Sequence, residues 1–320
     1  MRKSTRYSLL IALVLIAALA FAILLLKAAP PGAARLLPEA DAIVYINFKP
    51  LRLATHLDRT RIERSPDYQH FVDATGIVPE RDLDVAAFAL HRMDDPTGPN
   101  GPVGYSEVFE GRFDAARLAD YLATIATSQE IYEGHKIFTI PVGEPDPKTH
   151  AVREFRVAQL DRDSIAASNM PTTEQIHSIL DRHRMASPFS GSSLLSARYR
   201  DVPLLASAWA IGHIGLPFSD HGHISIFGMQ LPLPEDTTFV ASLRYAGALH
   251  FRLEQISPTE ADAARSAEAL TNLLGLYRSL QQGQTASPSD AAFRSLIESL
   301  RIDRHKDRTI LTGTIPLDLL

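Results

Sequence analysis

TTFVASLRYAGALHFRLEQISPTE, residues 237–260, decides the fold class. TTFVASLRY and ALHFRLEQI are rich in branched and aromatic residues and read as two strands. Ser257-Pro258-Thr259-Glu260 reads as a capping box with proline at the first helical position, which predicts a long helix from about 259 to 280. Strands close in sequence, followed by a helix and then more strands, point to an α+β chain with a largely antiparallel sheet and packed helices.

Working outward, HISIFGMQLPL (223–233) reads as a further strand. LLASAWAIG (204–212) is apolar throughout, and periodicity cannot decide between strand and buried helix. Beyond the long helix, QQGQTASPSD (281–290) is a polar break. A shorter helix carrying Phe293, Leu296, Ile297 and Leu300 follows. The chain closes as a hairpin turning around Lys306-Asp307.

The first half has the same character. Ala42 to Phe48, bounded by Pro38 and Pro50, reads as a buried strand. SPDYQHFVDATG (65–76) has Ser at a cap, Pro in the first turn and Gly after the end, the signature of a short helix. VAAFALHRM (85–93) and GYSEVFEGRF (104–113) read as strands around the irregular loop DDPTGPNGPVG. Asp114 caps a helix whose Leu118, Tyr121, Leu122 and Ile125 form one apolar face. HKIFTIPV, EFRVAQLD and DSIAASN are three short β-type runs, the first two separated by the turn EPDPKTH. Thr172 to Gln175 opens another helix with Ile176, Ile179 and Leu180 inward.

PEADAIVYINF (38–48) and PEDTTFVASLR (234–244) echo each other 196 residues apart. The echo suggests two related α+β units, 38–186 and 187–320, sharing one antiparallel sheet. The residue identity is too thin to establish duplication.

Leu9 to Leu26 is a run of 18 apolar residues without charge, Gly or Pro. As a helix it would span about 27 Å, close to the hydrocarbon thickness of a bilayer. Arg2, Lys3 and Arg6 precede it and Lys27 follows, so the short N-terminal side is expected in the cytoplasm. The competing reading, a cleaved signal peptide, calls for a shorter apolar core and a small-residue site. Here the core is longer, and Lys27 and Pro30 flank the only small residues close to it. The expected organisation is a cytoplasmic tail (1–7), a transmembrane anchor in the lipid bilayer (8–27), a linker (28–37) and an extracytoplasmic body.

All 37 acidic residues lie beyond position 30 and four of the 32 basic ones lie before it, so the remainder carries −9 with histidines neutral. Such a body is a poor holder of phosphate backbones, and nucleic acid is not an expected partner. With no cysteine there is no disulfide, thiolate nucleophile, iron–sulfur cluster or acylated lipoprotein anchor.

SDHGHIS (219–225) is the nearest approach to a chemical signature. If His221 and His223 lie in a strand, their imidazoles share a face, as zinc requires. His213 would be a third ligand, and Asp220 a ligand or an orienter of one. The plainer reading is a polar turn leading into a strand. Ser106 in GYSEV lacks the second glycine of a nucleophile elbow, and SGSS (190–193) has no lysine three residues on. Asp94, Asp95 and Asn100 sit in a loop whose prolines do not fit an EF-hand. No catalytic, cofactor or metal residue is assigned on these patterns.

LPEADAIVYINFKPLR, DYQHFVDATGIVPERDLDVAAFALHRM, SEVFEGRFDAARLADYL, YEGHKIFTIPV, IAASNMPTTEQIHSILDRHR and TILTGTIPLDLL resemble a group of uncharacterised, membrane-anchored bacterial envelope proteins sharing a domain of unknown function. The resemblance covers most of residues 37 to 317, and its motifs are turns and caps. It implies a single-pass, extracytoplasmic α+β protein and carries over no catalytic residue. The expected role is a non-enzymatic binding or structural one, with an unknown envelope protein or ligand as partner. The alternative is an envelope hydrolase or metalloenzyme.

Overall fold

A computed structural model describes residues 14–18, 29–56, 58, 64–98, 100–143, 145, 152–185, 187, 191–213, 223–226, 229–232, 237–281 and 288–316 of the 320. The chain is α+β and built on one antiparallel sheet of 12 strands. In the first half these are β1 (Ala42–Asn47), β2 (Leu83–Arg92), β3 (Val103–Gly111), β4 (Ser128–Tyr132), β5 (His135–Val142), β6 (Arg153–Gln159) and β7 (Ser164–Ser168). The second half supplies β8 (Ala208–His213), the separate hairpin β9 (His223–Ile226) and β10 (Met229–Pro232), then β11 (Thr238–Tyr245), β12 (Leu249–Ile256), β13 (Arg301–His305) and β14 (Arg308–Ile315). The order across the large sheet is β13-β14-β12-β11-β8-β1-β2-β3-β7-β6-β5-β4. The helices are α1 (Gly32–Leu36), α2 (Phe48–Thr55), α3 (Pro66–Thr75), α4 (Pro79–Asp82), α5 (Ala115–Ile125), α6 (Glu174–Met185), α7 (Ser193–Arg198), α8 (Glu260–Gln281) and α9 (Pro288–Ser299).

Residues paired across an antiparallel sheet share a face, so the registers define two continuous rows. One row runs Glu254, Val240, Ile211, Ile43, Ala89, Ser106, Ser168 across the front. The other runs Leu311, Leu253, Ala241, Ala210, Val44, Phe88, Glu107, Ala167, Val157, Phe138 across the back. Small side chains on the front, Ala87, Ala89, Ala158 and Ala166, let the helices come close. Ala33 and Ala34 of α1, Ile176, Ile179 and Leu180 of α6, and Leu194 and Leu195 of α7 fill the space above them. Tyr45 and Trp209 stack at 5.4 Å within this core. The back of the first half is closed by Ile77, Leu118 and Leu122 against Phe138. On the back of the second half, the Thr309 hydroxyl donates to the Ala263 carbonyl of α8. Gly313 there leaves room for the Phe251 ring and Leu300.

The two halves repeat a topology. In each, a first strand (β1 or β8) is followed by a hairpin (β2-β3 or β11-β12), a helix (α5 or α8), and a later hairpin whose second strand docks beside the third (β7 on β3, β14 on β12). The halves meet through β1 and β8, paired Ala42 to Gly212 and Ile46 to Ala208. The echo between 38–48 and 234–244 aligns β1 with β11, whereas the topological counterpart of β1 is β8.

Several expectations change in detail. Residues 28–37 do not behave as a linker beyond Pro31: they form α1, with Ala33, Ala34 and Leu37 buried. A run of alanines carries little hydrophobic signal, yet alanine is what close helix–sheet contact needs. LLASAWAIG resolves as a turn and then β8, with Trp209 and Ile211 buried on one face. The cap of α8 is Thr259, whose hydroxyl accepts from Asp262 N at 3.1 Å. The Ser257 hydroxyl instead accepts from Gln255 Nε2 at 3.2 Å, and its N–H bonds Asp307 O, tying it to the closing hairpin.

Of the expected anchor only residues 14–18 are described; they are helical, with Val14, Leu15 and Ile16 exposed. The rest of 8–27 and the 1–7 tail lie outside the described residues. Among the described residues no helix is long and apolar enough to cross a membrane.

Candidate functional site

Three places gather polar chemistry. The first is a buried seam across β2, β3 and β7. Ser106, fully buried in mid-strand, has its Oγ 3.0 Å from His91 Nε2 and 3.3 Å from Ser168 Oγ. Ser168 Oγ donates to Tyr105 O at 3.1 Å and accepts from Met170 N at 3.3 Å. Burial pushes the His91 pKa down, against the pull of Asp41. A serine beside a neutral histidine is the start of a nucleophile–base pair. Here both side chains are shut off from solvent and satisfied by one another, so the seam serves cohesion.

The second place is a cleft of about 390 Å³ where α1 and α6 meet the turn between β6 and β7. Glu110, Asp163, Arg35, Arg182 and His183 face it. Burial, and then the charge of Asp163, raise the Glu110 pKa. His183 Nε2 lies 2.8 Å from Asp161 Oδ2. On the neighbouring hairpin Tyr132 stacks on His177 at 3.7 Å, and His177 Nε2 reaches Glu130 at 2.8 Å. These are separate pairs. Among the described residues no group of three or more His, Asp or Glu could hold a metal ion.

The third place is a groove of about 350 Å³ on the front of the second half, bounded by the turn at Pro203 to Ala206. Its floor is two rows of paired side chains. Ser242, Arg252 and Thr312 form one, and Arg244, His250 and Thr314 the other. Glu254, 3% exposed, accepts from Arg252 Nε at 3.2 Å and Nη2 at 2.7 Å and also takes Arg308 Nη1 at 2.5 Å. Arg308 Nη1 lies 3.1 Å from Asp201 as well. Two arginines and two carboxylates thus neutralise one another behind the groove, and Arg252 is held rigidly with Nη1 making no contact among the described residues. Arg244 is exposed and makes no hydrogen bond or ion pair with the described residues. Leu204, 58% exposed, stands at the rim.

The residues singled out in the sequence land apart from these places. His213 ends β8, exposed, with Nδ1 3.3 Å from Thr238 Oγ1. Asp220 and His221 lie outside the described residues. His223 opens β9, where only the backbone is described. Ser192 caps α7 by accepting from Leu195 N at 3.2 Å, and Ser193 Oγ donates to Glu39 at 2.6 Å. Asp95 accepts from Thr97 N and Oγ1 at 3.0 and 2.8 Å, which closes a local turn. Glu107, Glu110 and the groove carry no motif in the sequence. One signal was present: His250, Arg252 and Glu254 alternate in a strand and mark a polar face.

No family model matches the chain, and no curated protein matches it. Among solved structures it is similar to "Structure of crystal form III of TP0453", with 12% identity, a TM-score of 0.49, and 90% of this chain and 96% of that chain covered. It is also similar to "Structure of crystal form I of TP0453", with 10% identity and a TM-score of 0.45 over 91% of this chain and 95% of that chain.

Proposed function

We propose that the chain is a single-pass, membrane-anchored protein of the bacterial envelope, with its N-terminus in the cytoplasm and an extracytoplasmic, non-enzymatic body that binds a ligand or partner protein. The membrane half of this reading rests on the sequence: the apolar run Leu9 to Leu26, its basic N-terminal flank and the resemblance to anchored envelope proteins. The observation that carries the binding half is the groove floored by Arg244, His250 and Arg252, a concave polar surface in the size range of small-molecule sites.

Protease added to spheroplasts tests the topology: the body should be digested, and protection would overturn the orientation. Pull-down from solubilised membranes with the anchored chain tests binding. A defined partner or co-purified ligand is expected, and loss of its capture on altering the groove would place it there.

A second reading, an envelope hydrolase, is favoured by one observation: Glu110, its pKa raised, faces a cleft with Asp163 and the His183–Asp161 pair. Turnover of an envelope substrate that Glu110→Gln abolishes would establish it over the binding reading. The zinc alternative at His213, Asp220, His221 and His223 is tested by metal analysis of untagged protein. Stoichiometric zinc lost in a His221→Ala, His223→Ala double variant would establish that site.

A further inference from the structure

We infer that the front groove of the second half is a binding site for a small phosphomonoester, a phosphorylated sugar or polyol. The inference deepens the binding reading above and is independent of how the chain is anchored.

The lining matches that chemistry group by group. Arg252 is fixed by Glu254 through Nε and Nη2, which leaves Nη1 for an anion. Holding one edge of a guanidinium on a buried carboxylate orients the other edge in advance, as phosphate recognition requires. Arg244 pairs across the sheet with His250 and supplies a cation with no internal partner among the described residues. The His250 Nδ1 lies 3.1 Å from Thr314 Oγ1, and Nε2 has no hydrogen-bond partner among the described residues. Ser242 and Thr312 flank Arg252 on either side at cross-strand distance, roughly 5 Å. Their hydroxyls both donate and accept, which suits a sugar hydroxyl as well as a phosphate oxygen.

Charge selects the sign of the ligand. Among the described residues, the carboxylates bonded into the floor's arginine network, Glu254 and Asp201, are consumed by Arg252 and Arg308. The local excess is therefore positive in a body whose overall charge is negative. A groove of about 350 Å³ limits the ligand to roughly a monosaccharide phosphate. A phosphomonoester dianion answers the two arginines better than the singly charged diester of a lipid headgroup does.

Trp209, the only tryptophan, lies directly across from Ser242 and gives an intrinsic readout. Full-length protein in non-ionic detergent is titrated with inorganic phosphate, glycerol 3-phosphate and glycerophosphoglycerol, following indole emission and phosphorus NMR linewidth. Saturable binding is expected for the first two ligands, with the diester weaker. Arg244→Ala should weaken binding about tenfold or more, the value of a lost charge-assisted hydrogen bond. Arg162→Ala, in the turn between β6 and β7, should leave it unchanged. Arg244 supports nothing else among the described residues, so the variant should keep the wild-type thermal midpoint.

Absence of saturable phosphate binding by the wild type would overturn the inference. So would equal binding by a folded Arg244→Ala variant, or binding of the diester alone. If phosphate fails while the pull-down captures a partner, the ligand class is wrong and the binding reading survives. If phosphate binds while spheroplasts protect the body, only the topology fails.

Discussion

Replacing Glu107 by glutamine should make the protein more stable at alkaline pH and leave it nearly unchanged in acid. Glu107 lies in the back row between Phe88 of β2 and Ala167 of β7, with Tyr105 and Phe109 two residues away on its own strand. Phe88 and Phe109 meet edge to face at 5.8 Å beside it. No described residue donates a hydrogen bond to it or pairs with it, and burial alone raises its pKa from 4.5 to about 7. In the unfolded chain the carboxyl loses its proton near 4.5, while in the folded chain it holds the proton until about 7. The folded state therefore binds more protons through that window, and stability falls as pH rises across it. A rise of this size corresponds to at most about 3 kcal/mol once the group is fully ionised. Glutamine is nearly isosteric with the protonated acid and cannot ionise. Urea denaturation of wild type and Glu107→Gln in non-ionic detergent, from pH 4.5 to 8.5, measures the difference. The variant's advantage should be near zero at the acid end, rise between pH 4.5 and about 7, and level off above that at about 2–3 kcal/mol. A difference that stays flat with pH, or a variant less stable throughout, would refute the reasoning, because either outcome would mean that burial does not penalise the carboxylate as argued.

Asp82 should behave in the opposite sense. Burial opposes its ionisation, but hydrogen bonds from Arg81 and the Val78 N–H, with the charges of Arg81 and Arg112, win and hold its pKa below 3.8. Asp82→Asn should cost about 1–3 kcal/mol at pH 7, and the cost should shrink as pH falls through the folded pKa; denaturation at both ends checks it. At the seam between the halves, Gly212→Ala would set a Cβ 2.5 Å from that of Ala42, forcing β1 and β8 apart. A loss of about 1–3 kcal/mol in thermal or chemical unfolding is expected, with Trp209 emission following the same transition. Ala34→Leu tests whether α1 belongs to the core. Ala34 is 0% exposed, so overpacking should cost about 1–3 kcal/mol, whereas a true linker would tolerate the change.

Local chemistry explains which parts of this architecture could be read from residues. The β11-β12 pair and the closing β13-β14 hairpin announce themselves because alternation and a short turn are local properties. So does α3, where Ser65 accepts from Tyr68 N and Gly76 ends the helix at a φ of 73°. α1 was hidden because Gly, Ala and Pro in succession look like a spacer, and the burial that makes Ala33 and Ala34 structural comes from distant strands. Glu107 was hidden differently. In SEVFE carboxylates stand on both faces of the strand, and sequence gives no means of telling which one the sheet encloses. The groove needed three strands from positions near 242, 252 and 312 to be laid side by side. The cross-strand pairing that does so is set by the whole sheet.

The two outermost strands of the described sheet carry a consequence for any setting in which copies of the chain meet. A strand at the end of a sheet offers unpaired backbone groups that a neighbour can extend into a growing assembly. At β13 that invitation is withdrawn by Arg301, Asp303, Arg304 and His305, all exposed. β4 is less guarded: Ile131 is 75% exposed, with Glu130 the one charge on the strand. Crowding on a surface would therefore strain the molecule at β4 first, and a lysine in place of Ile131 would be the smallest change that closes that edge to strand addition.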